Sequence, residues 1–218
     1  MFVGKRMTRN LVTVTEDTSI LKVKNLLKEH KIDQLPVVKG KKLVGIITDR
    51  DIRDNSPSPA NTLSVHELNY LLSEMKTADA MTRKVFTTTP GSTIEEAAKL
   101  IHDKHVNSLP VVDGDELVGL ITTCDLLNVL LDVMGVHDTP TRRVEIKLSS
   151  NIGEITKVAS IINGMGLRIV SILSTIDKDD SNVRPTLVRV GTYNIEELCE
   201  VLNEAGYPTT IDDSRVEE

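Results

Sequence analysis

The sequence has no tryptophan, two phenylalanines and three tyrosines in 218 residues. So few rings leave almost nothing on which to stack bases, and a formal net charge of −6 offers no basic surface to a phosphate backbone. A nucleic-acid partner is not expected. Cysteine is scarce as well: Cys124 and Cys199 are the only two. They are too few and too far apart for a disulfide framework or a zinc knuckle, which predicts reduced thiols in a cytoplasmic protein. No stretch approaches the roughly 18 apolar residues of a membrane helix. The start, MFVGKRMTRNL, lacks the apolar core of a signal peptide. With aromatics scarce, the core must be aliphatic.

What is present is a repeat. Residues 7–52 lie over residues 81–126 without a gap, and 18 of the 46 positions are identical. Met7-Thr8-Arg9 returns as Met81-Thr82-Arg83, and LPVV at 35–38 returns at 109–112. GIITDRDI at 45–52 returns as GLITTCDL at 119–126. Two copies are too few for a solenoid, so they are expected to bury each other's apolar faces.

Each copy predicts a small β-α-β-β-α unit. A short strand is expected near residues 11–14 and 85–88. The helix that follows carries Ile20, Val23, Leu26 and Leu27 in copy one, and Ile94, Ala97, Ala98 and Ile101 in copy two. Thr18 or Ser19, and Ser92 or Thr93, can cap it. Two apolar runs then flank Lys39-Gly40-Lys41 or Asp113-Gly114-Asp115, which suits a tight hairpin. A second helix starts near Asp49 or Thr123. After copy one it is interrupted by NSPSPANT and resumes as VHELNYLLSEM, with Val65, Leu68, Leu71, Leu72 and Met75 in one stripe. After copy two it runs on through DLLNVLLDVM.

Beyond a linker the order changes. VEIKL, NIGEITKVASIINGMG, RIVSILSTI, TLVRVGT, IEELCEVLNEAG and YPTTI read as β-α-β-β-α-β, the ferredoxin-like plan, with both helices on one face of an antiparallel sheet.

Thr-x-x-Asp alone describes a helix capping box. Capping does not require the preceding glycine or the proline in the paired strand, and the two copies agree on both. The phrase G-h-h-T-x-x-D after L-P-V-V, in tandem, resembles a CBS-domain pair, or Bateman module. The likeness covers residues 1–136, with repeat 1 at about 7–76 and repeat 2 at about 81–136. It implies two related clefts that take an adenosine-containing effector, AMP, ADP, ATP or S-adenosylmethionine, with no cofactor required. Asp51 and Asp125 match the ribose acceptors, and Thr48 and Thr122 the phosphate hydroxyls. Pro36 and Val37, and Pro110 and Val111, match the adenine walls, with Thr13 and Thr87 beside them. Arg50 is a candidate phosphate partner in copy one, opposed by Asp49; copy two has Thr123 and Cys124 there. Asp33-Gln34 and Asn107-Ser108 stand where some members carry a basic residue. That departure favours an adenosine-type or monophosphate ligand, with Lys31 and His105 slightly earlier in the chain.

Residues 142–212 resemble an ACT domain on SSNIGEI and NGMGLRIVSI. Gly153 and Ile155 fit its first-turn pattern, while Ser150 and Arg168 depart from it. The resemblance implies a pairing module and leaves an amino-acid effector at an ACT interface open. A CBS pair followed by an ACT-like domain is similar to the AcuB-type proteins of acetoin utilisation. That likeness implies a regulatory role, with a regulated protein that the sequence does not name, and the two module resemblances imply a homodimer, since both modules pair through helix faces or sheet edges in their families. No enzyme is expected: there is no nucleophile elbow and no Walker loop, and His102-x-x-His105 has no third metal ligand at a fixed spacing. The expectation is an α+β regulatory chain. The alternative is a dimerisation scaffold whose domains sense nothing.

Overall fold

The computed structural model describes residues 1–56 and 64–211, and of Val65 the backbone alone. From Pro57 on, the NSPSPANT stretch lies outside the described residues. The chain divides into two compact units, Met1–Leu126 and Leu127–Glu218. No helix among the described residues is long and apolar enough to cross a membrane.

Unit one holds the repeat. Its elements are α1 (Ile20–His30), β1 (Gln34–Lys39), β2 (Lys42–Thr48), α2 (Asp49–Asn55), α3 (Val65–Glu74), α4 (Thr77–Ala80), α5 (Ile94–Lys104), β3 (Ser108–Asp113) and β4 (Glu116–Thr122). Helix α6 (Thr123–Val133) starts at its end. Helix α1 forms where Ser19 accepts from the Lys22 N–H, and it buries Ile20, Val23 and Leu27 in one core with Leu35 and Val37 of β1, Ile47 of β2, Ile52 of α2 and Leu72 of α3. Helix α5 opens on a full capping box, Thr93 with Glu96, and buries Ile94, Ala97 and Ile101. Both helices end on a left-handed residue, Lys31 and His105, at φ of 53° and 52°. Each buried aliphatic side chain contributes about 1.5–3 kcal/mol, so these stripes hold the helices down. In α3, Leu72 is buried, whereas Leu71 lies at the exposed margin of the expected stripe.

The four strands form one sheet in the order β1-β2-β4-β3. Gly40 and Gly114 close the two hairpins at φ of 65° and 59°, a conformation that costs glycine nothing. The hairpins meet at Lys42 opposite Glu116. Exposed ion pairs of Lys42 with Asp115 at 2.8 Å and Lys41 with Glu116 at 3.3 Å flank the seam. Such exposed pairs contribute little to stability.

The strands expected at 11–14 and 85–88 shrink to single bridges, Val14 with Val37 and Thr88 with Val111, both parallel. The chain before each of them crosses to the other copy. Thr8 exchanges two backbone hydrogen bonds with Leu120 of copy two, both 2.9 Å. Thr82 exchanges two with Ile46 of copy one, at 2.9 and 3.0 Å. The same symmetry reaches further back. Val3 and Gly4 donate to Ser92 and Pro90 as Thr77 and Ala78 donate to Thr18 and Glu16. Ile94 donates to Met1 as Ile20 donates to Met75. The structural repeat therefore reaches back at least to residues 1 and 75, and the leader of each copy pairs with the other copy.

The doubled glycine follows from this crossing. A Cβ at Gly45 would stand 2.8 Å from Met81 Sδ and 3.0 Å from Thr82 O. A Cβ at Gly119 would stand 2.9 Å from Met7 Cγ and 3.1 Å from Thr8 O. Neither leader could lie against its strand if the strand carried a side chain there.

Unit two contains the rest of α6, then β5 (Arg142–Ser149), α7 (Glu154–Gly164), β6 (Arg168–Ser174), β7 (Val183–Gly191), α8 (Glu196–Glu204) and β8 (Thr209–Ile211). Its antiparallel sheet runs β6-β7-β5-β8, the ferredoxin-like order. Val144, Ile146, Leu148, Val188 and Val190 form its core with Val158 and Ile162 of α7 and Leu198 and Leu202 of α8. Ile155, one turn before Val158 on the same helix, is exposed and outside that core. Ser150 donates its hydroxyl to Ser181 O at 2.9 Å, and Gly153 starts α7 at φ of 91°.

Replacing Gly119 with alanine is expected to lower stability by about 1–3 kcal/mol through overpacking. A Met7→Ala background should remove most of that loss. Thermal or urea unfolding of the four chains of that cycle reads the coupling, and strictly additive losses would contradict the crossed packing.

Candidate functional site

The two Thr-x-x-Asp phrases fold identically. Strand β2 ends at Thr48, which caps α2; strand β4 ends at Thr122 at the start of α6. In copy one the Asp51 N–H donates to Thr48 Oγ1 at 3.1 Å, and Asp51 Oδ2 accepts from the Thr48 N–H at 2.8 Å. The Thr48 hydroxyl also donates to Oδ2, at 2.7 Å. In copy two the matching distances for Asp125 and Thr122 are 3.2, 2.8 and 2.8 Å. Both boxes are half-buried.

These bonds consume one carboxylate oxygen in each copy. Oδ1 of Asp51 and of Asp125 has no hydrogen-bond partner among the described residues. Both threonine hydroxyl protons are turned to the neighbouring aspartate. The first-turn N–H of Asp49 is also taken, by Asp33 O at 3.0 Å, and that of Thr123 by Asn107 O at 3.0 Å. The helix starts thus keep a free carboxylate oxygen more readily than free donors.

Strand register sorts the wall residues. Gln34 pairs with Thr48 and Pro36 with Ile46, while Leu35 pairs with Ile47 and Val37 with Gly45. Side chains directly opposite in an antiparallel pair share a face. Pro36 and Thr48 therefore share one face, and the Val14–Val37 bridge puts Thr13 on it too. Leu35, Val37 and Ile47 point the other way into the core, each 0% exposed. The second copy repeats this: Thr87, Pro110 and Thr122 share a face, and Leu109, Val111 and Ile121 fill the core. Pro36 and Pro110 are buried as well, so they differ from the valines in the face they occupy rather than in exposure, and Val37 and Val111 can offer a ligand their main chain only. Strand alternation within LPVV carried that information in the sequence.

Arg50 is not turned to the box. Its Nε lies 3.6 Å from Asp54 Oδ2 along the exposed face of α2, and Arg53 pairs with Asp49 at 3.2 Å. Both pairs have the i,i+4 spacing, again a signal present in the sequence. Lys31 lines an open cavity of about 480 Å³ with Lys24, Leu27, Lys28, Ile32, Asp33 and Asp49. That cavity belongs to the α1 side of copy one and includes none of Thr13, Pro36, Thr48 or Asp51. Cys124 is exposed between Thr123 and Asp125. Cys199 is buried in α8, and burial pushes its thiol up from the ordinary value. Among the described residues no group of His, Cys, Asp and Glu could hold a metal ion.

Comparison with known proteins agrees with the repeat. The CBS domain family model matches residues 3–58 and 77–132, each stretch including its leader. An uncharacterized protein of Methanocaldococcus jannaschii is 32% identical over 151 residues, spanning 58% of this chain and 90% of its own. An inosine-5'-monophosphate dehydrogenase of Korarchaeum cryptofilum is 35% identical over 119 residues, 54% of this chain but only 22% of the enzyme. Among solved structures, a Vibrio cholerae protein assigned to acetoin utilization (AcuB) superposes with a TM-score of 0.53 at 26% identity, over 63% of this chain and 95% of its own. CBSX2, a CBS-pair protein of Arabidopsis thaliana, superposes in its complex with AMP with a TM-score of 0.50 at 30% identity, over 61% of this chain and 97% of its own.

If the boxes cap their helices, Thr48→Ala and Thr122→Ala should each cost about 1 kcal/mol. Urea unfolding measures this; losses near zero would mean the helix starts are held by something else.

Proposed function

The chain belongs to the CBS-domain family, and we propose that it is a regulatory protein that binds an adenosine-containing ligand at its paired capping boxes. The observation that carries this is the Oδ1 of Asp51 and of Asp125, which has no hydrogen-bond partner among the described residues. Each sits on a box whose threonine shares a face with a proline and a second threonine: Thr13, Pro36 and Thr48, or Thr87, Pro110 and Thr122. A ribose offers two hydroxyls to such an oxygen, and charge-assisted bonds of this kind contribute about 1.5–3 kcal/mol. The proline face supplies an apolar wall for adenine. That CBSX2 is found in complex with AMP supports an adenine nucleotide as the class of ligand. With the threonine protons committed and Arg50 turned away, few donors remain for phosphates, which favours AMP or a nucleoside-type ligand over ATP.

Helix α6 gives the signal a route. Its first turn holds Asp125, and just past its last turn Met134 O accepts from Ser171 Oγ and Arg189 Nε, both at 2.9 Å. A ligand that favours one setting of the box would in this way bias the C-terminal sheet, provided it binds the two settings with different affinity. The AcuB likeness supports acetoin or related carbon metabolism as the setting. Leu127, Leu130 and Val133 are exposed along α6, at 53%, 50% and 48%, which supports a homodimer. Sedimentation should then give twice 24.0 kDa, and a mass of 24.0 kDa would contradict the dimer.

Calorimetric titration of AMP and S-adenosylmethionine tests the binding reading. Asp51→Ala or Asp125→Ala should weaken the ligand's cleft about ten- to hundredfold. Asp→Asn at the same position keeps a cap acceptor and removes the charge, so it should weaken binding while sparing more stability than alanine. Affinity unchanged in all four variants, or no binding by the wild type, would favour the scaffold instead.

A further inference from the structure

The segments that cross between the copies each run from one box strand to the opposite wall. In one, Met7 packs on Gly119 and Thr8 pairs with Leu120, two residues before Thr122. Six residues later Val14 donates to Pro36 O at 3.1 Å and accepts from the Val38 N–H at 2.8 Å. In the other, Met81 packs on Gly45 and Thr82 pairs with Ile46, two residues before Thr48. Six residues later Thr88 donates to Pro110 O at 3.0 Å and accepts from the Val112 N–H at 2.9 Å. Each strap thus ties the strand that carries one copy's box to the strand that carries the other copy's proline wall.

We infer that Met7 and Met81 are positioning residues for the opposite copy's cleft, and that the two straps couple the clefts to each other. Three features suit the straps to this. Both methionines are 8% exposed, so each anchor is seated rather than loose. Neither TRNLVT (8–13) nor TRKVFT (82–87) contains glycine or proline, so no residue supplies an easy hinge. The second strap is also held along its length. Arg83 pairs with Glu16 at 2.7 Å, and the Lys104 ammonium lies 5.3 Å from the centre of the Phe86 ring. The first strap has Pro90 where Glu16 would be needed and Val12 in place of Phe86. Residues 81–88 thus carry two surface contacts that residues 7–14 do not repeat, where Arg9 instead donates to Gly4 O at 2.7 Å.

The relevance to ligand rests on the sensing reading, but the coupling itself can be tested without any ligand. The experiment is amide hydrogen exchange on the full chain, wild type against Met81→Ala. The near end, Ile46 and Thr82, should open. The far end, Thr88 and Val112, should exchange about tenfold faster or more, while Ile101 in α5 stays as in the wild type. Met81→Leu should restore most of the protection. Gly45→Ala, which displaces Met81 without leaving a cavity, reads the same amides if Met81→Ala does not fold. Thr88 and Val112 exchanging as in the wild type would overturn the proposal. So would a rise of equal size at Ile101, which would make Met81 an ordinary core residue.

Discussion

The backbone exchange between Thr82 and Ile46, and its twin between Thr8 and Leu120, is the constraint on which the N-terminal unit depends. Each is a pair of hydrogen bonds between copies, and each needs a glycine beneath it. Without Gly45 and Gly119 the methionines could not lie flat, the leaders could not reach the far strands, and β2 and β4 would keep unpaired main-chain groups at Ile46 and Leu120, beyond the Lys42–Glu116 seam. Two copies that would be marginal apart instead complete one another.

The same constraint shapes the site. A leader pairs two residues before each capping threonine, so the strand that delivers the box is held on both sides just where it turns into a helix. Within the box threonine and aspartate satisfy one another, and the N–H groups of Asp49 and Thr123 go to Asp33 O and Asn107 O. What remains is one carboxylate oxygen per copy beside a proline-walled face. A capping device and a ribose acceptor are compatible because an ionised carboxylate has two oxygens and the cap uses one.

Much of this was legible in the sequence. The repeat, its helices, the hairpin glycines and the Thr-x-x-Asp boxes follow from periodicity and spacing, as does the β-α-β-β-α-β order of the C-terminal unit. Other parts were hidden for physical reasons. Residues 1–6 and 75–80 share only their methionine, because their symmetry is carried by main-chain hydrogen bonds that ask nothing of the side chains. The expected first strands reduce to single bridges at Val14 and Thr88, since a strap between two copies has a partner only at its ends. The glycine of the doubled phrase was visible, but its cause lay in a methionine of the other copy. The identical Met-Thr-Arg triplets were the trace of that cause. Val37, Val111 and Arg50 show the opposite case, in which strand alternation and i,i+4 spacing already pointed away from a ligand.

The central claim is that an adenosyl ligand uses the carboxylate oxygen the cap leaves free. A crystal structure of the chain grown with AMP tests it most directly. The account predicts a ribose hydroxyl within about 2.6–3.2 Å of Oδ1 of Asp51 or Asp125, with adenine against Pro36 or Pro110 and the capping bonds intact. AMP bound elsewhere, or a box broken open so that Oδ2 meets the ribose, would contradict it.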